Sequence, residues 1–152
     1  MTLENLLRIG KLKAHAADEQ EIARLLESAH RALGDTSVAG LSADARLELA
    51  YRALMQSALA AMLASGYRPS TSEPGHHQVV IQALPKTIGM APERVQLLEA
   101  YRKARNQRGR DDRDRGVSQG AFDLGSPSAP KVETVPDIVR VMDLQQEQLA
   151  RS

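Results

Sequence analysis

The feature that most constrains the fold is the segment 43–65, which leaves little polar surface in its second half. Its apolar spacing predicts a helix that Ser42 caps at the N-terminus and Gly66 ends, with Pro69 unable to extend it. A helix that is apolar nearly all round needs neighbours on most of its sides. The segment therefore predicts a bundle with this helix at its centre.

Amphipathic patterns predict four further helices around the central one. The predicted spans are 3–15, 18–33, 77–84 and 92–108. Gly34 is predicted to end the helix 18–33. Pro85 must break or kink the short apolar helix 77–84 that precedes it. Pro92 suits the first position of the last core helix.

Composition favours helices over sheets. Aromatic residues make up only 3% of the chain, so the core must be built from leucine, isoleucine, valine, methionine and alanine. No pair of strands, internal repeat or long heptad pattern is recognised in the sequence. The predicted fold class is all-α, an up-and-down helical bundle of four to five helices with a flexible C-terminal tail.

The chain is expected to have one main domain. The 152 residues suffice for one core, and the bundle is expected to occupy 1–110. Residues 111–134, rich in Arg, Asp, Gly, Ser and Pro, predict a flexible linker. Residues 135–152 predict a short, loosely docked helix, with Thr134 as its cap.

The sequence argues against several classes of protein. There is no cysteine, which excludes disulfides, zinc–thiolate sites and cysteine nucleophiles. The N-terminus lacks a signal-peptide pattern, and no segment approaches the roughly 18 apolar residues of a membrane span. We therefore expect a cytoplasmic protein with no membrane partner. No dinucleotide, Walker, hydrolase, zinc-protease or EF-hand motif is found, so neither a cofactor nor a metal is expected.

Basic charge is concentrated in one segment. The whole chain has a net charge of +1, but 101–115 contains six Arg and one Lys against three Asp. Such a patch attracts phosphate, although a solvated run of Arg and Asp is more common. The candidates for contacts with nucleic acid or phosphate are Arg102, Lys103, Arg105, Asn106, Arg108 and Arg110, with Tyr101 as a stacking face.

Arg105 stands out because helical geometry places it between Leu98 and Tyr101, in the apolar arc of its helix. One interpretation is that its stem packs while its head reaches solvent. The other is that its guanidinium points into a cleft or a dimer interface to bind phosphate or carboxylate.

Histidines offer few further candidates. His76 and His77 follow Gly75 at a predicted helix start, and adjacent positions on a helix are poorly placed to share a metal. Capping and surface polarity explain them better than a general base does. His30 has no acidic residue four positions later, and both His15 and His30 are expected to be structural or exposed.

Three segments together resemble the HEPN superfamily, whose name refers to nucleotide binding in higher eukaryotes and prokaryotes. They are AYRALMQSALAAMLASGYRP, EPGHHQ and LLEAYRKARNQ, and the resemblance covers about residues 1–108. It implies a dimerising bundle of four or five helices. Many members are metal-independent ribonucleases, often toxins or defence proteins, that use an Arg, a polar neighbour and a His four to six residues after the Arg.

The resemblance assigns Arg105 to the Arg of that motif and Asn106 to its polar neighbour. The His is missing, since 109–111 reads Gly109, Arg110 and Asp111. His76 or His77 could substitute only if their loop folds over the end of the last core helix.

The leading hypothesis is a non-catalytic HEPN-like module that binds RNA or nucleotide through Arg102, Arg105 and Asn106. It would form a homodimer or pair with a small protein, as in toxin–antitoxin systems. The alternatives are a ribonuclease that uses Arg105 and Asn106, and a scaffold in which Arg105 pins the bundle through an acidic partner.

Overall fold

A computed structural model of the protein describes residues 2–72 and 74–115, the last of them, 108–115, by their backbone alone. Within these ranges the chain forms six helices and one two-stranded sheet. The elements are α1 (Leu3–Arg8), β1 (Leu12–Ala14), α2 (Glu19–Asp35), α3 (Ala43–Ala64), β2 (Tyr67–Pro69), α4 (His76–Gln82), α5 (Leu84–Thr87) and α6 (Pro92–Arg115).

The helix α3 is the central element, as predicted. Half of its residues are buried, and it packs against α2 along much of its length and against α4, α5 and α6. Five of its eleven buried residues are alanines. The largest fully buried aliphatic side chains of the core are Leu12, Leu54, Met62, Ile81, Leu84 and Leu98. The predicted all-α helical bundle is confirmed.

The prediction of the first helix is wrong for the second half of its span. It was expected to span 3–15, but α1 ends at Arg8, and Gly10 adopts a φ of 76° that turns the chain. The chain then forms β1, which pairs antiparallel with β2 so that Leu12 lies opposite Pro69. The expectation that the sequence holds no strand pair is therefore wrong. Burial of Leu12, which is 1% exposed, favours the ribbon.

The break at Pro85 occurs as predicted and adds a helix to the expected four or five. Helix α4 ends at Gln82, and Pro85 lies in the first turn of α5, where its missing N–H leaves no bond unmade. Helix α4 begins earlier than predicted because Gly75, with a φ of 97°, lets the chain enter it directly at His76.

Helix α6 is longer than predicted. It continues to Arg115, past the expected end near Arg108 and into the first residues of the predicted linker, a stretch that contains no proline. The rest of that linker and the predicted C-terminal helix lie outside the described residues. Among the described helices, none is both long enough and apolar enough to cross a bilayer.

Candidate functional site

A cleft of about 430 Å³ opens where α3, α4 and α6 meet. We call it the Arg105 cleft and define it by its lining residues. These are Glu48, Leu49, Tyr51, Arg52, Met55, Gln56, His77 and Arg105. Helix α3 supplies six of them, while α4 supplies His77 and α6 supplies Arg105.

Arg105 is held by two contacts with α3. Its Nε–H donates to both carboxylate oxygens of Glu48, at 3.0 and 3.1 Å. Its Cζ atom lies 4.7 Å from the centre of the Tyr51 ring, a cation–π arrangement. Within the described residues its two terminal amino groups make no hydrogen bond. The guanidinium is therefore fixed in place while four of its five N–H donors remain available.

Tyr51 links Arg105 to His77. The Tyr51 hydroxyl lies 3.1 Å from Nδ1 of His77, and the two rings are 5.9 Å apart, tilted by 44°. Tyr51 itself is buried, at 3% exposure. The rings of His76 and His77 form a T-shaped pair, with their centroids 4.5 Å apart and an interplanar angle of 85°.

Burial and nearby charges set the protonation of this pair. Burial chiefly lowers the pKa of His77 from its ordinary 6.5, and His76, Arg105 and Arg102 lower it further. Burial raises the pKa of Tyr51 above 10.0, although Arg105 and Arg102 act in the opposite direction. At pH 7 the cleft therefore holds a neutral imidazole bonded to a neutral phenol.

The charge of the cleft is positive. Two arginines, Arg52 and Arg105, and one carboxylate, Glu48, line it, and His77 adds no charge at pH 7. Arg52 is exposed and makes no ion pair within the described residues. An anion that enters the cleft would meet one guanidinium already held and a second free to swing toward it.

The other predicted residues of the basic segment fall into three groups. Arg102 pairs with Glu99 at 3.0 Å, with both side chains largely buried, so its charge is already taken. Lys103 and Asn106 are exposed on α6. The side chains of Arg108 and Arg110 lie outside the described part. Arg102 is therefore already ion-paired within its own helix, and its contact with phosphate stays a prediction.

Two predictions on ring side chains are wrong. Tyr101 is 0% exposed and cannot offer a stacking face, because its ring belongs to the core beneath α6. His77 does not serve as a surface residue or cap, since α4 folds it against Tyr51. His77 and Arg105 therefore line the same cleft, although the contact of His77 is with Tyr51 of α3.

The structure also describes the surroundings of His15 and the arrangement of the side chains that could bind a metal. His15 follows β1 rather than lying on a helix, and its Nε2 atom pairs with Glu21 at 3.0 Å. The acidic partner of His15 is thus Glu21, six residues later in the sequence, and not a residue one helical turn away. No group of three or more His, Asp or Glu is placed to hold a metal within the described chain.

Sequence reasoning missed the residues that α3 contributes. Glu48, Tyr51, Arg52, Met55 and Gln56 follow the i, i+3, i+4, i+7, i+8 spacing of a single helical face. Polar side chains along one face of an otherwise apolar central helix mark a surface that opens to solvent. That pattern could have predicted the part of the cleft that α3 lines, which the basic segment does not indicate.

The chain was compared with protein-family models, with curated proteins and with solved structures, and none of them matches it. The resemblance to the HEPN superfamily stays a prediction.

Proposed function

We propose that the protein is a HEPN-like binding module whose Arg105 cleft binds the phosphate of RNA or of a nucleotide. The observation that carries the proposal is the held guanidinium of Arg105, whose terminal amino groups face no protein partner within the described residues. Guanidinium groups bind phosphate through two parallel N–H donors, and the two Nη groups supply them.

The lining of the cleft supports this assignment. Arg52 adds a second cation, and the polar atoms of His77 and Gln56 can bond to sugar or phosphate oxygens. Leu49 and Met55 give an apolar wall against which a base can lie. The homodimer, the small protein partner and the toxin–antitoxin setting belong to the same proposal and rest on the resemblance alone.

A scaffold role for Arg105 has two observations in its favour, the ion pair with Glu48 and the cation–π contact with Tyr51, both between α3 and α6. The side chains of Arg105 and Glu48 are 34% and 56% exposed, respectively. Ion pairs of that exposure contribute only about 0–1 kcal/mol to stability, and an exposed cation–π contact adds about 0.5–1 kcal/mol. Neither contact occupies the N–H donors of the two terminal amino groups, so binding ranks above scaffolding.

A ribonuclease is the second candidate, because His77 lies in the same cleft as Arg105. Its lowered pKa leaves it neutral at pH 7, as a general base must be. His77 would take the proton of a 2′-hydroxyl, whose oxygen attacks the adjacent phosphorus. The 5′-oxygen would leave with a proton from water, giving a 2′,3′-cyclic phosphate, while Arg105 neutralises the charge on the phosphoryl oxygens.

The test is to incubate labelled RNA of mixed sequence with the protein in EDTA, followed by a binding measurement and a denaturing gel. We expect binding that weakens steeply as salt is raised, and intact RNA. Arg105→Ala should weaken binding by about tenfold or more. Arg94→Ala, on the exposed start of α6 and outside the cleft, should change binding little.

A second variant separates binding from scaffolding. Glu48→Gln removes the competing negative charge, so it should strengthen binding a few-fold while slightly lowering stability. Absence of binding by the unaltered protein at low salt would overturn the proposal, as would equal binding by the Arg105→Ala variant. Metal-independent cleavage that both Arg105→Ala and His77→Ala abolish would establish the ribonuclease instead.

A further inference from the structure

A second cleft, of about 450 Å³, lies beside the β1–β2 ribbon, between the start of α2 and the end of α3. We call it the Arg68 cleft. Its apolar surface comes from Leu25, Leu59, Leu63 and Pro69. Its volume lies within the roughly 300–1,000 Å³ typical of small-molecule sites.

The Arg68 cleft is separate from the Arg105 cleft and shares no lining residue with it. The lining residues that come nearest along α3 are Gln56 and Leu59, about 4.5 Å apart along the helix axis at 1.5 Å per residue. What is proposed for the Arg68 cleft does not depend on the function proposed above.

Two arginines line the Arg68 cleft and lack partners. Arg24 on α2 and Arg68 on β2 are exposed, and the guanidinium group of neither makes a hydrogen bond or ion pair within the described residues. The carboxylate that lines the same cleft, Glu21, is already engaged, since both of its oxygens bond to Nε2 of His15 at 3.0 and 3.1 Å. The guanidinium charges are thus left without a bonded counter-ion.

The ribbon adds a further cation at the same edge. The register of β1 and β2 places Lys13 directly opposite Arg68, and Lys13 also has no ion-pair partner in the described part of the chain. Like charges at directly opposed strand positions destabilise a ribbon. A bound anion would relieve this repulsion, which makes the edge of the ribbon the position where a negative group is favoured.

We propose that the Arg68 cleft binds a free medium-chain carboxylate, an anion with an unbranched apolar chain. The carboxylate bonds to the guanidinium groups of Arg24 and Arg68, whose planar donors match its two oxygens. The chain lies over Leu25, Leu59 and Leu63. Nucleic acid fits this cleft poorly, because no tyrosine, phenylalanine or tryptophan lines it to stack on a base.

The experiment is calorimetric titration of the full chain with hexanoate, octanoate and decanoate below their micelle concentrations, with octan-1-ol as the uncharged match for octanoate. We expect one site, with affinity rising by up to about fourfold for each buried methylene. Octan-1-ol should bind at least tenfold more weakly than octanoate. An affinity that does not rise with chain length, or equal binding of the alcohol, would overturn the proposal.

Paired variants locate the binding. The double variant Arg24→Gln/Arg68→Gln should lose octanoate binding by tenfold or more, and it should fold because both side chains are exposed. The matched control, Arg52→Gln/Arg105→Gln, removes two arginines from the Arg105 cleft and should bind octanoate like the unaltered protein. Loss of binding in the control alone, or no binding by the unaltered protein, would refute the assignment.

Discussion

At the scale of single residues, His77 makes stability depend on pH. Its pKa is lowered in the folded state, chiefly by burial, whereas in the unfolded chain it lies near 6.5. Below that value the unfolded chain binds a proton that the folded protein resists. The free energy of unfolding therefore falls as the pH drops from about 7 toward the lowered pKa, and the contribution of His77 is complete above the unfolded value.

The check is urea denaturation of the protein and of His77→Gln between about pH 5 and pH 8. The unaltered protein should lose more stability toward low pH than the variant does, because glutamine takes up no proton. Parallel curves for the two proteins would show that His77 is not buried against Tyr51 as described.

Arg102 and Arg105, three residues apart on α6, should differ in what they support. Arg102 and Glu99 form a pair in which each side chain is only about 15% exposed, at 15% and 16%. Arg102→Leu leaves Glu99 without its partner and should lower the free energy of unfolding by about 1–3 kcal/mol. Thermal and urea unfolding measure that loss, and RNA binding should stay within about twofold. A large loss of binding with unchanged stability would reverse the roles assigned to the two arginines.

At the scale of elements, the caps of the long helices are predictable from the sequence and their contribution can be measured. The Ser42 hydroxyl accepts a hydrogen bond from the N–H of Ala45 at 3.1 Å. Ser42→Ala should lower stability by about 1 kcal/mol, whereas Ser42→Asp, which keeps an acceptor, should not. Chemical denaturation of both variants tests this, and an unchanged stability of Ser42→Ala would mean that the cap contributes nothing.

The ribbon shows where prediction from local pattern fails. Strands of three residues are too short to display a period of two, and Leu12 fits the apolar spacing of the preceding helix equally well. What selects the strand is the burial of Leu12 and its pairing with a segment more than 50 residues later. That contact is tertiary, so no window along the sequence contains it.

At the scale of the whole molecule, stability rests on the few large side chains that fill the space between alanine-rich surfaces. Leu98 is 0% exposed and joins α6 to the core. Leu98→Ala should cost about 2–5 kcal/mol, because a cavity remains where neighbours cannot close in. Val38→Ala, at a position that is 53% exposed, should change stability by less than about 0.5 kcal/mol. Urea denaturation compares the two, and similar losses would contradict this picture of the core.

The Arg105 cleft forms only when the packing of the whole molecule brings α3, α4 and α6 together. The sequence indicated that Arg105 was unusual, and its helical position was predicted from periodicity. Its partners Glu48 and Tyr51 lie on another helix, more than 50 residues away, and His77 lies on a third. Periodicity shows which face of a helix is apolar, but the crossing of three helices decides which polar residues meet.

The position of Tyr51 has an optical consequence. The chain has three tyrosines, one phenylalanine and no tryptophan, so light that excites tyrosine selectively gives emission from the tyrosines alone. Of the three, Tyr51 is the one that lines the Arg105 cleft, and its ring lies beneath a guanidinium while its hydroxyl bonds to an imidazole. A molecule that binds beside the held guanidinium changes the surroundings of one emitter in three. The protein therefore carries its own fluorescent indicator of whether that cleft is filled, with no dye attached.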